Sequence, residues 1–372
     1  MNIRTPLYLD FASTTPLDLA VIEAIKPFFS ESFANASSKD HIEGIFAKSA
    51  IEIARENVAS LTNSETDEIY FTSGSTEAIN IGLCGAYLAN KDKGNHIITV
   101  ATEHKAVLET CRYLESIGAD LTILGVDREG FIDFNDLENA IKAETVIVSV
   151  MHVNNETGVI QDIDRIGAIC REKGVLFFCD ASQSVGKLKV DVVQSQVDLL
   201  CLSAHKFNGP KGVGALFVKK GVELEPILFG GGQEKGIRPG TYNTPLIVGL
   251  GKACEIAEKS FAEEMDRITF IRNQVEQYFL LNNIGRPLVT HNQRSPFISS
   301  ILLNNMDADT FVMMNRSKIC ISTGSACNSE VIEPSHVIIA MTGNNTTAGR
   351  VIRLSYNKLM PAFDITTLGL IH

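Results

Sequence analysis

Lys206 is the residue whose setting first suggests covalent chemistry. It follows the apolar run Val197–Leu202 and precedes the glycine- and proline-rich turn Asn208–Gly212. A strand would deliver the amine, and a stiff turn would fix its direction. Most lysines are solvent-exposed, so Lys206 taken alone is better interpreted as a solvated loop cation than as a catalytic amine. The polar residues elsewhere in the chain have to decide between the two interpretations.

Polar and ionisable residues also follow other apolar runs of the chain. They form the segments Thr72–Glu77, Thr102–Lys105, His152–Gly158 and Asp180–Gln183. In a parallel sheet, the carboxyl ends of the strands lie at one edge, and ligands bind there. We therefore expect these side chains to gather around one ligand.

Ser73–Thr76 has the composition of a phosphate-binding turn. Small residues at a helix N-terminus present backbone N–H groups and the positive end of the helix dipole, and both suit a phosphate. An ordinary helix cap is the better interpretation of this turn taken alone, because Ser and Thr are favoured there. Ser203, His205 and the hydroxyl of Thr241 strengthen the phosphate interpretation.

Asp180 ends an apolar run, and a carboxylate at such a depth requires a cationic partner. A lysine, an aspartate and a phosphate site at strand ends together point to pyridoxal phosphate. The lysine forms a Schiff base with this cofactor, and the aspartate keeps the pyridine nitrogen protonated. His104 is a candidate to stack on the ring, although a histidine taken alone is more often a capping or core residue.

The elements that must position these residues alternate along the chain. Between 68 and 218, helical stretches separate most of the apolar runs, which predicts an α/β fold with a mostly parallel sheet covered on both faces. The seven predicted strands are Ile69–Phe71, His96–Val100, Asp120–Leu124, Val146–Met151, Val175–Cys179, Val197–Leu202 and Ala215–Val218. The loop between the last two is too short for a crossover helix, which indicates a hairpin and one antiparallel strand.

The rest of the chain predicts a smaller α+β domain at its C-terminal end and further helices before the first strand of the large sheet. We expect a helix at about 18–29, two helices at about 245–261 and 263–281, and alternating strands and helices thereafter. A long amphipathic helix is also expected to bury one face, formed by Phe46, Ala50, Ile53, Ala54, Val58 and Leu61. The predicted boundaries are 13–250 for the large domain, and 1–12 with 251–372 for the small one.

Composition limits the classes of function. The chain has 372 residues, 45% hydrophobic and 21% charged, and a net charge of −11. An acidic balance argues against broad binding to nucleic acid or to anionic membranes. With no bilayer-length apolar run and no signal-peptide core, we expect a cytoplasmic protein. The eight cysteines include no CxxC pair, so we expect mostly free thiols and no metal site.

Seven stretches between residue 8 and about 355 resemble one known family. They are Tyr8–Pro16, Phe71–Ala78, Thr102–Ala106, Met151–Gly158, Asp180–Lys187, Ser203–Lys206 with Gly209–Gly212, and Ser322–Cys327. As a set they resemble the cysteine desulfurases of the NifS/IscS type, which are class-V aminotransferases of pyridoxal-phosphate fold type I. The resemblance implies a large domain with a seven-stranded sheet, a smaller C-terminal domain and a homodimer.

The resemblance also implies roles for residues around the cofactor. Lys206 forms the Schiff base, Asp180 pairs with the pyridine nitrogen, and Gln183 bonds the ring hydroxyl. His104 stacks on the ring and moves protons. The phosphate is held by Ser75, Thr76, Ser203, His205 and, reaching in from the second subunit, Thr241. Asn155 is assigned to both the cofactor and the substrate.

The resemblance places substrate binding and sulfur transfer in the remaining residues. Arg353, with Asn155 and Asn35, binds the substrate carboxylate, for which the planar arginine fork is well suited. Cys327 lies among small and polar residues, where no apolar periodicity buries it. In the family this cysteine attacks the substrate sulfur, becomes a persulfide and releases alanine. The long loop from Ser322 to Pro334 favours transfer to a separate acceptor protein.

Three departures from the family pattern bear on these roles. Ala36 replaces a usual proline, and Pro239 replaces a usual serine just before Gly240 and Thr241. After Arg353 the chain lacks the longer tail that docks the iron–sulfur scaffold protein in housekeeping members. The acceptor is therefore open between iron–sulfur cluster assembly and the thiolation of tRNA or DNA.

Two alternatives to cysteine desulfuration remain open at this point. One is a selenocysteine lyase or cysteine-sulfinate desulfinase, whose substrates have better leaving groups. The other is a sulfur-relay platform without turnover, against which the joint presence of Lys206, Asp180, His104, Arg353 and Cys327 argues. Neither direct nucleic-acid binding nor membrane association is expected.

Overall fold

The fold is seen in a computed structural model, which describes residues 6–323 and 334–371, apart from the side chains of 261–263. The strands are β1 Leu7–Tyr8, β2 Ile69–Thr72, β3 His96–Val100, β4 Asp120–Leu124, β5 Thr145–Ser149, β6 Leu176–Asp180, β7 Leu199–Ser203, β8 Gly214–Val218, β9 Gly285–Pro287, β10 Ile298–Leu303, β11 Ile319–Cys320 and β12 Val351–Ser355. The helices are α1 Leu19–Ile25, α2 Pro27–Ser30, α3 Ile42–Thr62, α4 Ser75–Ala89, α5 Lys105–Ser116, α6 Phe134–Ala140, α7 Ile163–Lys173, α8 Thr244–Leu281, α9 Ala308–Asn315, α10 His336–Thr342 and α11 Asn345–Ala348.

The central sheet has seven strands in the order β2-β8-β7-β6-β5-β3-β4. Strand β8 is antiparallel to both of its neighbours, and the other pairings in the sheet are parallel. The predicted mostly parallel seven-stranded sheet, with its single antiparallel strand, is confirmed. The carboxyl ends of β2, β3, β5, β6 and β7 therefore lie at one edge.

Each face of the sheet is covered by a buried apolar cluster. One cluster joins Val148 and Phe177 to helices α3 and α8, and the other joins Ile147 and Phe178 to α4 and α5. Successive strand residues point to opposite faces, so each strand contributes to both clusters. Continuous Val, Ile, Leu and Phe runs are the sequence signature of such a strand.

The remaining strands form two smaller sheets beside a third cluster. Strands β12, β10 and β9 form one sheet, while β1 pairs in parallel with β11. Leu9 and Phe11, from the start of the chain, share the third cluster with residues of α8, β10 and β12. The N-terminal segment thereby packs against the C-terminal part of the chain.

Among the described helices, none combines the length and apolar character that crossing a bilayer requires.

Three helix predictions were wrong in detail. The two helices expected after 245 form one helix, α8. This helix also crosses the domain boundary predicted at 250, and that boundary stays a prediction. The helix expected at 18–29 breaks between α1 and α2 at Pro27, whose ring removes a backbone donor. In α3, Phe46 and Ile53 are about half exposed while Ala47 and Ile51 are buried, so the buried face is rotated from the predicted one.

Helices α3 and α8 pack closely because a glycine permits it. A Cβ atom on Gly251 would lie 2.4 Å from Ala54 Cα. The pair brings two helix backbones together without intervening side chains, which fixes α8 against the face of the sheet. Ala54, which the sequence predicted on the buried face of this helix, makes the contact.

Candidate active site

A cavity of about 1500 Å³ opens at the carboxyl edge of the central sheet. Ten of the residues predicted from the sequence line it: Ser75, Thr76, His104, Asn155, Asp180, Gln183, Ser203, His205, Lys206 and Arg353. The N-terminal segment contributes Asp10 and Ser13 to the same wall. The sheet thus gathers side chains from distant parts of the sequence around one volume.

Lys206 ends a short turn of 3-10 helix, Ala204–Lys206, that directly follows β7. Its Nζ donates to the carbonyl oxygens of Ala12, at 2.8 Å, and Ser13, at 2.9 Å. Burial, together with the positive charge of Arg353, lowers the pKa of Lys206 to about 8. The amine is therefore held in place and is uncharged more often than an exposed lysine.

Asp180 ends β6 and is buried at the cavity floor. Its Oδ1 accepts hydrogen bonds from the Ser182 amide at 2.9 Å and from the Cys201 thiol at 3.4 Å. Within the described residues, Oδ2 has no protein donor. The carboxylate is thus fixed through one oxygen, and its second oxygen remains for a ligand.

Ser75 and Thr76 form the first turn of α4, beside the end of β7. Gly74, which precedes Ser75, has φ +151°, a backbone conformation that residues with a side chain rarely adopt. Gly214 of β8 lies close to it, because a Cβ atom added to Gly214 would lie 2.7 Å from Gly74 Cα. Ser203 Oγ faces this turn, and Ser75 Oγ lies 2.6 Å from Ser182 Oγ. The first-turn N–H groups of a helix lack intrahelical acceptors, so the turn suits an anion.

The two predicted histidines occupy different walls of the cavity. His104 caps α5, where its Nδ1 accepts from the Ala106 amide at 3.1 Å. It therefore acts as a helix cap and also lines the cavity. Burial lowers the pKa of His104, although the Asp180 carboxylate opposes this shift. His205 Nδ1 lies 3.1 Å from Thr14 Oγ1, and burial with the nearby Lys206 charge lowers its pKa to about 4.

Arg353 projects from β12 into the opposite wall. Its Nη2 donates to Asp10 Oδ1 at 2.7 Å and to Ser13 Oγ at 2.8 Å, and its Nη1 donates to the Asn155 carbonyl at 2.9 Å. Two buried polar atoms beside these contacts, Arg353 Nε and Asn155 Oδ1, have no hydrogen-bond partner among the residues that the structure describes. A bound ligand with both donor and acceptor groups would satisfy them.

Cys327 lies outside the described residues, and its predicted position is untested. The residues on either side of that gap can be placed. Ser322 exchanges backbone hydrogen bonds with Arg353, and Ser335 Oγ lies 2.5 Å from Glu156 Oε2. Ser322, Thr323, Pro334 and Ser335 all line the cavity.

Comparison with known proteins identifies the family to which this chain belongs. The model of the class-V aminotransferases matches residues 7–368. A cysteine desulfurase IscS of Neisseria meningitidis serogroup C is 42% identical over 96% of this chain and 89% of its own. This chain is a cysteine desulfurase of the class-V aminotransferase family.

Solved structures agree with this assignment. A NifS-like protein superimposes with a TM-score of 0.91 at 33% identity, over 98% of this chain and 97% of its own. The protein SspA in complex with cysteine gives a TM-score of 0.84 at 37% identity, over 94% of this chain and 98% of its own. The predicted fold type and family are confirmed.

The desulfurase uses pyridoxal phosphate, as its family does. The cavity fits this cofactor, because an amine, a carboxylate with one uncommitted oxygen and an anion-binding helix turn surround one volume. Lys206, Asp180 and the turn at Ser75 would hold the aldehyde, the pyridine nitrogen and the phosphate. Asn155 Oδ1 and Arg353 Nε, which have no hydrogen-bond partner among the described residues, could also bond a ligand in this cavity.

Two predicted site residues of the desulfurase do not reach this cavity in the single chain. Thr241 is exposed and lines a separate cavity of about 270 Å³, together with Ser73, Glu234 and Arg238. Asn35 is exposed on its loop, where its Oδ1 accepts from the Ser37 amide. Their predicted roles therefore depend on a second subunit or on movement.

Sequence reasoning missed several residues that shape the site. Asp10 and Ser13 hold Arg353, and Glu156 lines the cavity with its pKa raised to about 7 by burial. Glu103 is fully buried and accepts from the Met151 amide. The quoted motifs contained all four residues, but nothing in the sequence indicated which partner each would meet.

Proposed function

We propose that this desulfurase cleaves the C–S bond of L-cysteine, keeps the sulfur as a persulfide on Cys327 and passes it to an acceptor protein. The observation that supports this best is the single cavity shared by Lys206, Asp180, His104 and Arg353, bordered on both sides of the Cys327 segment by Thr323 and Pro334. The bound cysteine of the SspA structure supports the same substrate.

Substrate binding rests on the arginine side of the cavity. The guanidinium of Arg353 is oriented by Asp10 and Ser13, so its remaining N–H donors, on Nε and Nη1, can meet a carboxylate, for which the amide NH₂ group of Asn155 is a further donor. A buried, oriented guanidinium binds a carboxylate with directional hydrogen bonds. The substrate amine is then directed toward Lys206, on the other side of Ser13.

Bond cleavage rests on the opposite wall. Bound pyridoxal phosphate supplies an electron sink that labilises the bonds around the substrate's α and β carbons. Lys206, whose pKa is lowered to about 8, would hold the aldehyde group of the cofactor, and its amine, once released by the substrate, would move a proton at the α carbon. Burial lowers the pKa of His104 and favours its neutral form, and because its Nδ1 accepts from the Ala106 amide, its Nε2 carries the proton and can donate it beside the ring.

Sulfur transfer balances without an added oxidant. The Cys327 thiolate attacks the substrate sulfur, a new S–S bond forms and the C–S bond breaks. The electron pair stays on carbon, which takes up a proton, so one L-cysteine gives one L-alanine and one persulfide. A thiol reductant then releases sulfide and restores Cys327, or an acceptor thiolate takes the outer sulfur.

The second subunit completes the site in this proposal. Thr241 and Phe229 lie on the same glycine-rich stretch, and Phe229 is 88% exposed. Phe33, on the loop that carries Asn35, is 74% exposed. Large apolar side chains exposed at both places support burial against a second copy, which would bring Thr241 to the partner's phosphate site.

Purified protein loaded with pyridoxal phosphate tests the proposal. With L-cysteine and dithiothreitol it should form alanine and sulfide in equal amounts. Cys327→Ala should keep the cofactor's absorbance and lose sulfide formation, whereas Cys320→Ala, a matched variant of a thiol outside the cavity, should keep both. Unchanged activity in Cys327→Ala would refute the assigned nucleophile.

The substrate and the acceptor need separate measurements. If selenocysteine or cysteine sulfinate is the natural substrate, its turnover should survive in Cys327→Ala while turnover of L-cysteine does not. Protein carrying labelled sulfur from L-cysteine, mixed with co-purified candidates, should pass the label to the true acceptor. An iron–sulfur scaffold and a tRNA- or DNA-thiolation protein are the two outcomes to separate.

A further inference from the structure

Lys187 is a buried lysine on the far side of Gln183 from the cavity. Only 6% of it is exposed. Its Nζ donates to Gln183 Oε1 at 2.8 Å, and the Phe297 ring centroid lies 6.0 Å away. Within residues 6–323 and 334–371, no carboxylate lies at ion-pair distance from this Nζ.

Placing a charged lysine at such a position is unfavourable in free energy. A buried ammonium without a carboxylate is disfavoured by desolvation, and the charges of Lys206 and Arg353, which act on it, are also positive. Burial, followed by the charges of Lys206 and Arg353, lowers the pKa of Lys187 to about 7. An apolar residue of similar length would fill the same space at lower cost, so packing alone does not explain the lysine.

The hydrogen-bond chain that starts at Lys187 leads to the active site. Gln183 Nε2 donates to the Ala12 carbonyl at 2.9 Å, and the same carbonyl accepts from Lys206 Nζ at 2.8 Å. One side chain, Gln183, and one backbone carbonyl, that of Ala12, therefore connect Lys187 to the lysine that would carry the cofactor.

The two hydrogen-bond partners of the Gln183 amide, the Ala12 carbonyl and Lys187 Nζ, favour one orientation of the amide. A carbonyl only accepts, so the NH₂ group must face Ala12. Lys187 Nζ keeps an N–H donor whether it is charged or neutral, so the amide oxygen faces Lys187 in either state. The second N–H of Gln183 Nε2 then remains as a donor toward the cavity that Gln183 lines.

We propose that Lys187 is a positioning residue that holds the Gln183 amide with its N–H donor toward the ring hydroxyl of pyridoxal phosphate. The proposal rests on the proposed function and on the ring-hydroxyl contact that the family resemblance implies for Gln183. Without Lys187 only the Ala12 carbonyl orients the amide, so the side chain turns more easily and the ring hydroxyl loses its donor in part of the population. Lys187 does not touch the cofactor in this arrangement and acts through Gln183 alone.

A double-mutant cycle read by cofactor binding tests this. Apo protein is titrated with pyridoxal phosphate, and the dissociation constant and the absorbance maximum of the bound cofactor are measured for Lys187→Met, Gln183→Met and the double variant. We expect Lys187→Met to weaken binding roughly fivefold to tenfold and to shift the absorbance maximum, since loss of one hydrogen bond has about this size. In the Gln183→Met background, Lys187→Met should have no further effect.

Matched variants separate this role from a structural one. Lys187→Arg keeps a donor at the same place and should retain the wild-type absorbance maximum. If Lys187→Met does not fold, Gln183→Glu still decides, because it keeps an acceptor for Lys187 but loses the donor toward the ring. It should give the same spectral shift as Gln183→Met.

Additive effects of Lys187→Met and Gln183→Met, or an unshifted spectrum in folded Lys187→Met, would overturn the proposal. An unshifted spectrum in Gln183→Glu would overturn it as well. These readouts do not depend on desulfuration, so they can fail while persulfide formation on Cys327 is upheld, and the reverse also holds.

Discussion

Arg353 Nη2 lies 2.7 Å from Asp10 Oδ1, although the two residues are 343 positions apart in the chain. Both are at the cavity wall, and Ser13 Oγ accepts from the same nitrogen. The segment that follows β1 and the strand β12 thus meet at the proposed substrate carboxylate site. The N-terminal segment also supplies both carbonyls that hold Lys206.

Arg353→Lys should separate substrate binding from cofactor binding. Lysine keeps the charge but loses the planar fork, so the KM for L-cysteine should rise by roughly 30-fold or more while the cofactor's absorbance stays unchanged. Steady-state kinetics with an absorbance spectrum of each variant measure both. Arg112→Lys, an exposed arginine, is the control, and a KM within twofold of wild type in Arg353→Lys would exclude the proposed carboxylate contact.

Cofactor capture should depend on pH through Lys206. Its pKa near 8 means that the uncharged amine becomes about tenfold more abundant from pH 6 to pH 7 and levels off above the pKa. Stopped-flow mixing of apo protein with pyridoxal phosphate should give a rate that follows this curve. A rate that keeps rising up to about pH 10 would indicate an ordinary exposed lysine, and Lys206→Ala should form no covalent link.

Glu156 should make the apo protein less stable as pH rises. Burial raises its pKa from 4.5 to about 7, so between these values the folded protein holds a proton that the unfolded chain has released. Stability is therefore lost as pH rises through this interval, by on the order of 3 kcal/mol once Glu156 is fully ionised.

Glu156→Gln should remove that loss. The variant should unfold at a higher temperature than wild type at about pH 8 and at a similar temperature near pH 5, as measured by calorimetry of the apo proteins. Glu129→Gln is the opposite control, because the Thr290 and His291 amides hold the Glu129 carboxylate and lower its pKa. Equal shifts of Glu156→Gln at both pH values would show that Glu156 is not buried as an acid.

Subunit mixing tests whether Thr241 serves the second subunit. In a mixed dimer of Lys206→Ala and Thr241→Val chains, one site would carry both changes and the other would be wild type. Random mixing should then restore about a quarter of wild-type activity, at limiting cofactor, from two parents that are each weaker. Activity no greater than the mean of the two parents would place Thr241 in its own subunit's site or outside any site.

The sequence predicted the scaffold well where one physical signal dominated. Continuous Val, Ile, Leu and Phe runs located each strand of the large sheet to within a few residues, and the short link between β7 and β8 indicated their antiparallel pairing. Motif resemblance then named the ten residues that line one cavity. Strand ends converge for topological reasons, so this part of the site follows from the order of elements.

Other features depended on contacts that the sequence does not encode locally. No glycine or proline lies between 252 and 281, so the break predicted near 262 in α8 had no physical cause. The buried face of α3 depends on its packing against α8, a distant segment whose Gly251 lies against Ala54. Likewise, the pairing of Asp10 with Arg353 and the burial of Lys187 become visible only after the two ends of the chain have met.

The central claim is that L-cysteine sulfur is carried on Cys327. Holoenzyme is incubated with one equivalent of L-cysteine without reductant, digested without reduction, and its cysteine peptides are weighed by mass spectrometry alongside an assay of alanine. We predict one added sulfur atom on the Cys327 peptide, matched by one alanine, and none on the peptides of Cys320 or the buried cysteines. Alanine formed with no sulfur on Cys327, or with the sulfur on another cysteine, would contradict the account.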